Sequence, residues 1–222
     1  MCGRYALFNL LDEIDHFLGV LERKGNISPN FNVAPSHQMP VAFVNKSGKR
    51  VAENMHWGFL GWKPKEGQKS FMPINTRDDS LTKKPMWQRA FSSGRCLIPM
   101  NGFYEWQGPK GKKIPHYIYP KEGELLVAAG IFSELSPLDG IRSYSVITTS
   151  PNHIMEPIHN RMPAFLHPSE FDDWLNPDQP EDLLLDMIQP YPDDAISEHI
   201  VSKAVGNVRN NYPELVVPAT LF

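Results

Sequence analysis

The stretch from Cys96 to Phe132 reads CLIPMNGFYEWQGPKGKKIPHYIYPKEGELLVAAGIF. Within it, Cys96–Pro99, Phe103–Gln107, His116–Tyr119 and Leu125–Phe132 are short runs of β-branched and aromatic residues with turn formers between them. Such side chains pack well on a pleated surface and lose rotamer freedom in a helix. Gly108-Pro109-Lys110-Gly111 marks a hairpin tip between two of the runs. Downstream, Tyr144–Thr149 reads as a further strand. Upstream, Pro40–Asn45 and Arg50–His56 read as paired strands around Lys46-Ser47-Gly48-Lys49. This density of short strands predicts an α+β fold: a single domain over residues 1–222, with an antiparallel barrel-like β core flanked by short helices.

Helices are expected at the margins. Leu10, Ile14, Phe17, Leu18 and Leu21 recur at helical spacing, predicting a helix capped by Asn9, running to about Lys24 and stopped by Gly25. Ser28, Pro29, Asn30 and Phe31 read as a loop leading to Asn32-Val33-Ala34-Pro35. A helix over Lys84–Ser92, short acidic helices over Ser169–Leu175 and Glu181–Ile188, and a final strand over His199–Val205 complete the reading. Residues 57–73 form a long loop rich in Trp, Gly, Pro and Lys. There is no repeat, low-complexity segment or linker.

With 41% hydrophobic and 11% aromatic residues, the 222-residue chain is globular and not disordered. Arg4, Asp12, Glu13 and Asp15 interrupt the early apolar residues, so no signal peptide is expected. No apolar run reaches the length of a membrane span, so no membrane partner is expected. Cys2 and Cys96 make no disulfide framework and point to a reducing compartment. A cytoplasmic location follows, at the nucleoid if the source is bacterial. The net charge of −3 hides an asymmetry. Residues 1–115 carry 17 Lys and Arg against 9 Asp and Glu, whereas residues 116–222 carry 5 against 16. Either a polyanion-binding face or charges that mix once folded would account for it.

The chain opens Met1-Cys2-Gly3-Arg4. Initiator methionine is usually removed before a small side chain. Cys2 would then carry a free α-amine and a thiol on adjacent carbons. An α-amine titrates at about 7.7–8.0 and is partly nucleophilic at neutral pH. With an aldehyde, the amine forms an imine and the thiol closes a five-membered thiazolidine. Ring closure is intramolecular, where effective molarities reach roughly 10⁵–10⁸ M. The plainer alternative is an ordinary residue in a terminus.

Other side chains suit the same chemistry. Glu105 lies between aromatic residues in Gly102-Phe103-Tyr104-Glu105-Trp106 and suits proton transfer if it faces a pocket; the alternative is an exposed strand residue. His159, in Ile158-His159-Asn160-Arg161-Met162-Pro163, is a second proton-transfer candidate or a hydrogen-bonded structural residue. Asn75 could hydrogen-bond a reacting amine or hydroxyl, and Arg4, Arg77 and Arg161 could grip phosphates. Trp57 and Trp62 could stack on unpaired bases at roughly 1–3 kcal/mol per base, with Lys63, Lys65 and Lys69 alongside, or could fill the core. The core is the favoured place for Trp57. His153, His159 and His167 lack metal-ligand spacing and no C-x-x-C occurs, so no metal or cofactor is expected.

Taken in order, Met1-Cys2-Gly3-Arg4, Asn32-Val33-Ala34-Pro35, Trp57-Gly58, Asn75-Thr76-Arg77, Gly102-Phe103-Tyr104-Glu105-Trp106, His159-Asn160-Arg161-Met162-Pro163 and Val205-Gly206-Asn207 resemble the SOS response-associated peptidase (SRAP) family along nearly the whole chain. The resemblance implies a sensor of abasic sites in single-stranded DNA, whose opened sugar presents an aldehyde. By motif, Cys2 forms the thiazolidine cross-link, Asn75 positions the amine or sugar, Glu105 moves protons and His159 assists sugar opening. Arg4, Arg77 and Arg161 then hold flanking phosphates, Pro35 and Trp62 stack on bases, and Thr148 touches DNA. Autopeptidase removal of Met1 and lyase-type strand incision are also implied, in a protein expected to act as a monomer. Where some relatives carry a second aromatic, this chain has Lys63, which implies a phosphate contact on that side. Two rivals stand beside this reading. One is an N-terminal-nucleophile amidotransferase-type hydrolase, which would usually continue Cys-Gly-Ile. The other is a non-catalytic single-stranded nucleic-acid-binding module.

Overall fold

The computed structural model of the protein describes residues 2–61, 71–123, 125–138 and 140–219. Strand β1 (Tyr5–Leu7) leads into helix α1 (Leu11–Leu18). The helix opens where the Glu13 carboxylate accepts the Leu10 amide and the Asn9 side-chain amide, each at 3.1 Å. Asn9 therefore sits one step outside the cap position expected of it. The helix ends at Gly19, whose φ of 65° turns the chain left-handed. The Val20 amide then reaches back to the Asp15 carbonyl at 2.8 Å. Glycine takes this conformation without a Cβ clash, and helices commonly stop this way. The helix expected to reach Lys24 is thus shorter. Leu21 is exposed despite its helical spacing, and β2 (Glu22–Lys24) follows.

Strand β3 (Asn30–Val33) occupies part of the expected loop. The hairpin of β4 (Gln38–Val44) and β5 (Arg50–Trp57) is as expected, its turn held by Asn45 Oδ1 accepting the Ser47 and Lys49 amides at 2.9 and 3.1 Å. Then come β6 (Asn75–Arg77) and α2 (Pro85–Ser93). The strands that anchored the sequence reading form β7 (Arg95–Met100), β8 (Gly102–Gln107), β9 (Ile114–Pro120), β10 (Leu126–Leu138) and β11 (Ile141–Thr149). After β12 (Met162–Pro163), the short helices α3 (Phe171–Leu175) and α4 (Glu181–Asp186) precede β13 (Ile196–Ile200). The final strand lies earlier than expected, because Lys203–Gly206 winds into a single 3-10 turn begun by the Ser202 side chain.

The α+β reading holds, and the barrel is closed. One sheet runs β12-β11-β10-β7-β4-β5-β2, and β11 also pairs with β5. Strands β4, β5, β11, β10 and β7 therefore form a ring. The closing pair is parallel, with Ser143 opposite His56 and Tyr144 opposite Trp57. Closure removes the unpaired edges of a sheet. A second sheet, β13-β9-β8-β1-β3, lies against the barrel. Its inner face contributes Tyr5, Phe103 and Ile118 to the main core, and its outer face packs Ala6, Tyr104 and Tyr117 against Val201, Val205 and Leu215.

Trp57 is fully buried, as favoured, and stacks with Tyr144 at 6.4 Å and tilts against Tyr5 at 5.1 Å. Helices α2 and α3 pack on the outside of β7. Their ends are tied by Arg95, whose buried guanidinium donates to the carbonyls of Phe91, Ser92, Trp174 and Asn176 at 2.5–2.8 Å. A cation is favoured at helix C-termini. The basic and acidic halves of the chain are not kept apart: Arg50 pairs with Asp172, and Arg142 with Glu53.

Gly102 sits where β1, β8 and β9 meet. A Cβ there would lie 2.5 Å from the Ile118 carbonyl oxygen and 2.5 Å from Tyr117 Cζ. The backbone partner cannot yield. Gly102→Ala should therefore cost about 1–3 kcal/mol of stability, the usual range for overpacking. Urea denaturation of the purified variant measures it, and an unchanged midpoint would contradict the close approach.

Candidate active site

Cys2 lies just before β1 and has no exposed surface. Its carbonyl accepts the Asn75 side-chain amide at 2.8 Å, and its thiol lies 3.7 Å from the Arg4 carbonyl oxygen. Asn75 is delivered by β6, which pairs in parallel with β11 so that Asn75 faces Val146. The other side-chain atom of Asn75, Oδ1, is buried and has no hydrogen-bond partner among the described residues. An unpaired buried acceptor is costly and calls for a donor. Burial pushes the Cys2 thiol well above the ordinary thiol range, and the nearby Glu105 charge pushes it the same way. That influence puts Glu105 in electrostatic reach of the sulfur. Within electrostatic reach of the thiol are the Tyr5 and Tyr144 hydroxyls, hydrogen-bonded to each other at 2.8 Å and both held above the ordinary phenol range by burial.

Glu105 is 4% exposed, so the exposed-strand alternative is excluded. Strand β8 puts it on the face shared with Phe103, which belongs to the main core. Alternation along a strand leaves Tyr104 and Trp106 on the other face. Two residues on, Gln107 donates to the Pro157 carbonyl at 3.0 Å, tying this strand to the segment that carries His159. Asn152 shapes that segment by accepting the Met155 amide at 3.0 Å and donating to the Tyr191 carbonyl at 2.9 Å. His159 is half-buried, and its Nδ1 accepts the Arg161 amide at 3.0 Å. Nδ1 also lies 3.2 Å from the Arg161 carbonyl oxygen, a contact that asks for the opposite tautomer.

The three arginines fall into different settings. Arg77 is exposed and paired with Asp79, with contacts of 3.1 and 2.7 Å. Arg161 is nearly buried, donating to Asp78 at 2.7 Å and to the Thr148 carbonyl. Arg4 donates to Asn32 Oδ1 at 2.6 Å, to the Val205 carbonyl at 2.7 Å and to the Gly206 carbonyl at 3.3 Å. Arg4 and Arg161 are thus engaged by the protein's own acceptors. Thr148 is fully buried, with its hydroxyl 3.4 Å from the Thr76 carbonyl, and offers DNA no surface; its part is to hold Arg161 through its carbonyl. Pro35 is exposed, beside Ser36, whose φ of 74° is rare for a residue with a side chain. Trp62, with Lys63, Lys65 and Lys69, lies outside the described residues.

Several contributors escaped the sequence reading. Asn32 donates to the carbonyls of Val205, Asn207 and Asn210 at 2.9–3.2 Å, which joins two motifs noted separately in the sequence. Asp78 holds Arg161 and also accepts the Thr149 hydroxyl at 2.9 Å. Burial and the Arg4 charge hold His37 below the ordinary histidine range. Tyr5 could have been suspected from its distance of three residues from Cys2; Tyr144 carries no such signal. Among the described residues no group of three or more His, Cys, Asp and Glu could hold a metal ion, and no helix is long and apolar enough to cross a membrane.

Both thiols are buried and held protonated at neutral pH, since burial raises Cys2 and Cys96 alike. The thiolate is the reactive form. In the chain that retains Met1, native protein should therefore resist iodoacetamide and label at both cysteines only after unfolding. Rapid labelling of native Cys2, read by peptide mass spectrometry, would show that the thiol is open to solvent.

The chain matches the description of the SOS response associated peptidase (SRAP) family over residues 1–208. It is 35% identical to the abasic site processing protein YoqW of Bacillus subtilis (strain 168) over 226 residues, covering 97% of this chain and 99% of the relative. It is 30% identical to the abasic site processing protein HMCES of Xenopus tropicalis over 267 residues, covering 100% of this chain and 79% of the relative. A crystal structure of a protein from Bacteroides thetaiotaomicron shares the fold, with a TM-score of 0.83 and 21% identity over 99% of this chain and 100% of the other. A family match across nearly the whole chain, and relatives of this identity, have one meaning: the chain belongs to the SOS response associated peptidase (SRAP) family.

Proposed function

We propose that the protein, once Met1 is removed, captures abasic sites in single-stranded DNA through a covalent bond to Cys2. The observation that carries this reading is the seating of Cys2. Asn75 grips its carbonyl at 2.8 Å and keeps Oδ1 buried beside it without a partner. A free Cys2 amine supplies the donor that this oxygen lacks. The relatives' names, abasic site processing proteins, agree with such a substrate.

In this reading the Cys2 amine adds to the aldehyde carbon of the opened sugar, and water leaves as the imine forms. The thiol sulfur then adds to the imine carbon. The C=N electron pair passes to nitrogen, which ends with the proton that the thiol gives up. One water is released overall and no redox partner is needed. A thiol held protonated by burial needs a base, and Glu105, whose charge acts on the sulfur, serves as that base in this reading. It also supplies the proton that lets water depart. His159 donates a proton during sugar opening. Arg77 meets a backbone phosphate, and Pro35 and Trp62 meet the bases. Arg4 and Arg161 act from inside, fixing the segments that carry Cys2 and His159. Hydrolysis of the Met1–Cys2 bond by the same groups would make the protein its own peptidase. An imine not trapped by sulfur would permit strand incision by β-elimination.

Denaturing electrophoresis with single-stranded DNA carrying one abasic site tests the reading. Wild type should give a denaturant-resistant adduct, Cys2→Ala should give none, and the intact mass of active protein should lack Met1. A stable adduct on protein retaining Met1 would overturn the mechanism, because a blocked amine cannot condense. Glu105→Gln should slow both adduct formation and exchange onto fresh abasic DNA, up to the roughly 10²–10⁴-fold that general acid–base groups contribute. Equal exchange rates would remove Glu105 from proton transfer.

The grip on DNA has its own signature. Arg77→Ala should flatten the log–log salt dependence of non-covalent binding by about 0.7, the value for one phosphate on a single strand. Asp79→Asn frees Arg77 from an exposed ion pair of the sort worth about 0.2–1 kcal/mol and should tighten binding a few-fold. Fluorescence anisotropy across a salt series measures both, and weaker binding by Asp79→Asn would contradict the competition.

A further inference from the structure

A second titratable pair stands beside Glu105 and is unused by the mechanism above. In the antiparallel pairing of β8 and β9, Glu105 lies directly opposite His116. Opposite residues project from the same face with Cβ atoms about 4.5–5.5 Å apart. Both are buried, at 4% and 5% exposure. His116 Nδ1 is 2.6 Å from Glu198 Oε2 on β13, the next strand of the sheet. A carboxylate only accepts, so Nδ1 donates and the neutral ring keeps its lone pair on Nε2. That Nε2 is buried and has no hydrogen-bond partner among the described residues. Glu198 extends toward water, with its side chain 33% exposed against 7% for His116.

Exposure thus rises in order along three neighbouring strands: Glu105, His116, Glu198. We infer that Glu198 and His116 form a proton relay that connects the buried Glu105 carboxyl to solvent. His116 is a positioning residue that acts through Glu105 and touches neither the sugar nor Cys2. A proton leaving Glu105 crosses one bridging water to His116 Nε2, which hydrogen-bonds to no described residue, and Glu198 balances the imidazolium that results. Loss of the Nδ1 proton toward Glu198 and water then leaves the neutral ring protonated on Nε2, the tautomer from which the reverse sequence starts. The reverse sequence recharges Glu105 with the proton needed to expel water. An orienting carboxylate on one imidazole nitrogen with a reactive lone pair on the other is a recurring catalytic arrangement. The inference rests on the cross-linking reading proposed above and deepens it.

The test uses the full chain with Met1 removed, in buffers free of primary amines. His116→Ala and Glu198→Gln are compared with wild type for the rate of cross-linking, the rate of exchange of a preformed adduct, and affinity for DNA carrying a tetrahydrofuran abasic analogue that cannot condense. The relay predicts that both variants slow formation and exchange by the same factor, at least about tenfold for His116→Ala, within the range of general acid–base effects. Affinity for the analogue should stay within about twofold, and added imidazole should restore the rate of His116→Ala by entering the vacated space. A purely structural role would lower analogue affinity and melting temperature together, with no recovery in imidazole, and would overturn the inference. So would variants that cross-link at the wild-type rate. Wild type that forms no adduct at all would instead overturn the underlying cross-linking reading, and the relay with it.

Discussion

Strand β11 holds both of its edges to other strands, and the rest of the molecule hangs on that. Val146 is opposite Gly130 of β10 on one side and Asn75 of β6 on the other. Thr148 is opposite Pro163 of β12 and Arg77 of β6. Earlier in the strand, Tyr144 pairs with Trp57 of β5 and closes the barrel. The two edges of this one strand thus complete the core and align segments from residues 75–77 and 162–163. Gly130 permits the close packing inside this ring, since a Cβ there would meet Ile98 Cδ1 at 2.4 Å and Cys96 Sγ at 2.9 Å. The site at Cys2 inherits its precision from the barrel, because Asn75 is a strand residue and not part of a mobile loop.

What was legible in the sequence follows from which forces act locally. The runs at 96–132 and 144–149 declare themselves because their side chains suit a pleated, buried surface. Strands β2, β6 and β12 do not, because two or three residues carry no period to read. The parallel closure of β11 on β5 depends on residues 56–57 and 143–144 meeting in space, which no local pattern encodes. The first helix is over-read for a physical reason. Leu21 keeps the helical spacing, but Gly19 has already turned the chain left-handed. At the candidate site, Cys2 and Glu105 drew notice because their chemistry is unusual where it stands, and Asn75 through its motif; the fold brings Asn75 to the Cys2 carbonyl. The partners that occupy Arg4 and Arg161 were not, since Val205 and Thr148 contribute carbonyls that every residue has.

Those two arginines show how charge is used here. A guanidinium in a motif invites a phosphate, yet Arg161 Nη2 donates to both Asp78 and Thr148, and Arg4 donates to Asn32 and two carbonyls. Arg95 does the same at the start of β7, joining two helix ends. The planar fork of donors suits arginine to gathering several acceptors at once, which lysine cannot do with the same geometry. Among the described arginines proposed to meet DNA, Arg77 alone stands at the surface. Its exposed partner, Asp79, leaves its positive charge available only to a competitor that outbids a carboxylate.

The clasp of Arg4 and Asn32 on the carbonyls of residues 205, 206, 207 and 210 also governs the order of events during synthesis. Translation delivers Arg4 and Asn32 long before these carbonyls. While the chain is still growing, the two side chains that fix the amino-terminal strand have nothing to hold. The amino-terminal strand therefore gains this clasp only after residues 205–210 have been made, although Asn75 can reach the Cys2 carbonyl earlier. The seat of Cys2 is in this way tied to both ends of the described chain, and a product stopped before residue 205 lacks one of its two anchors.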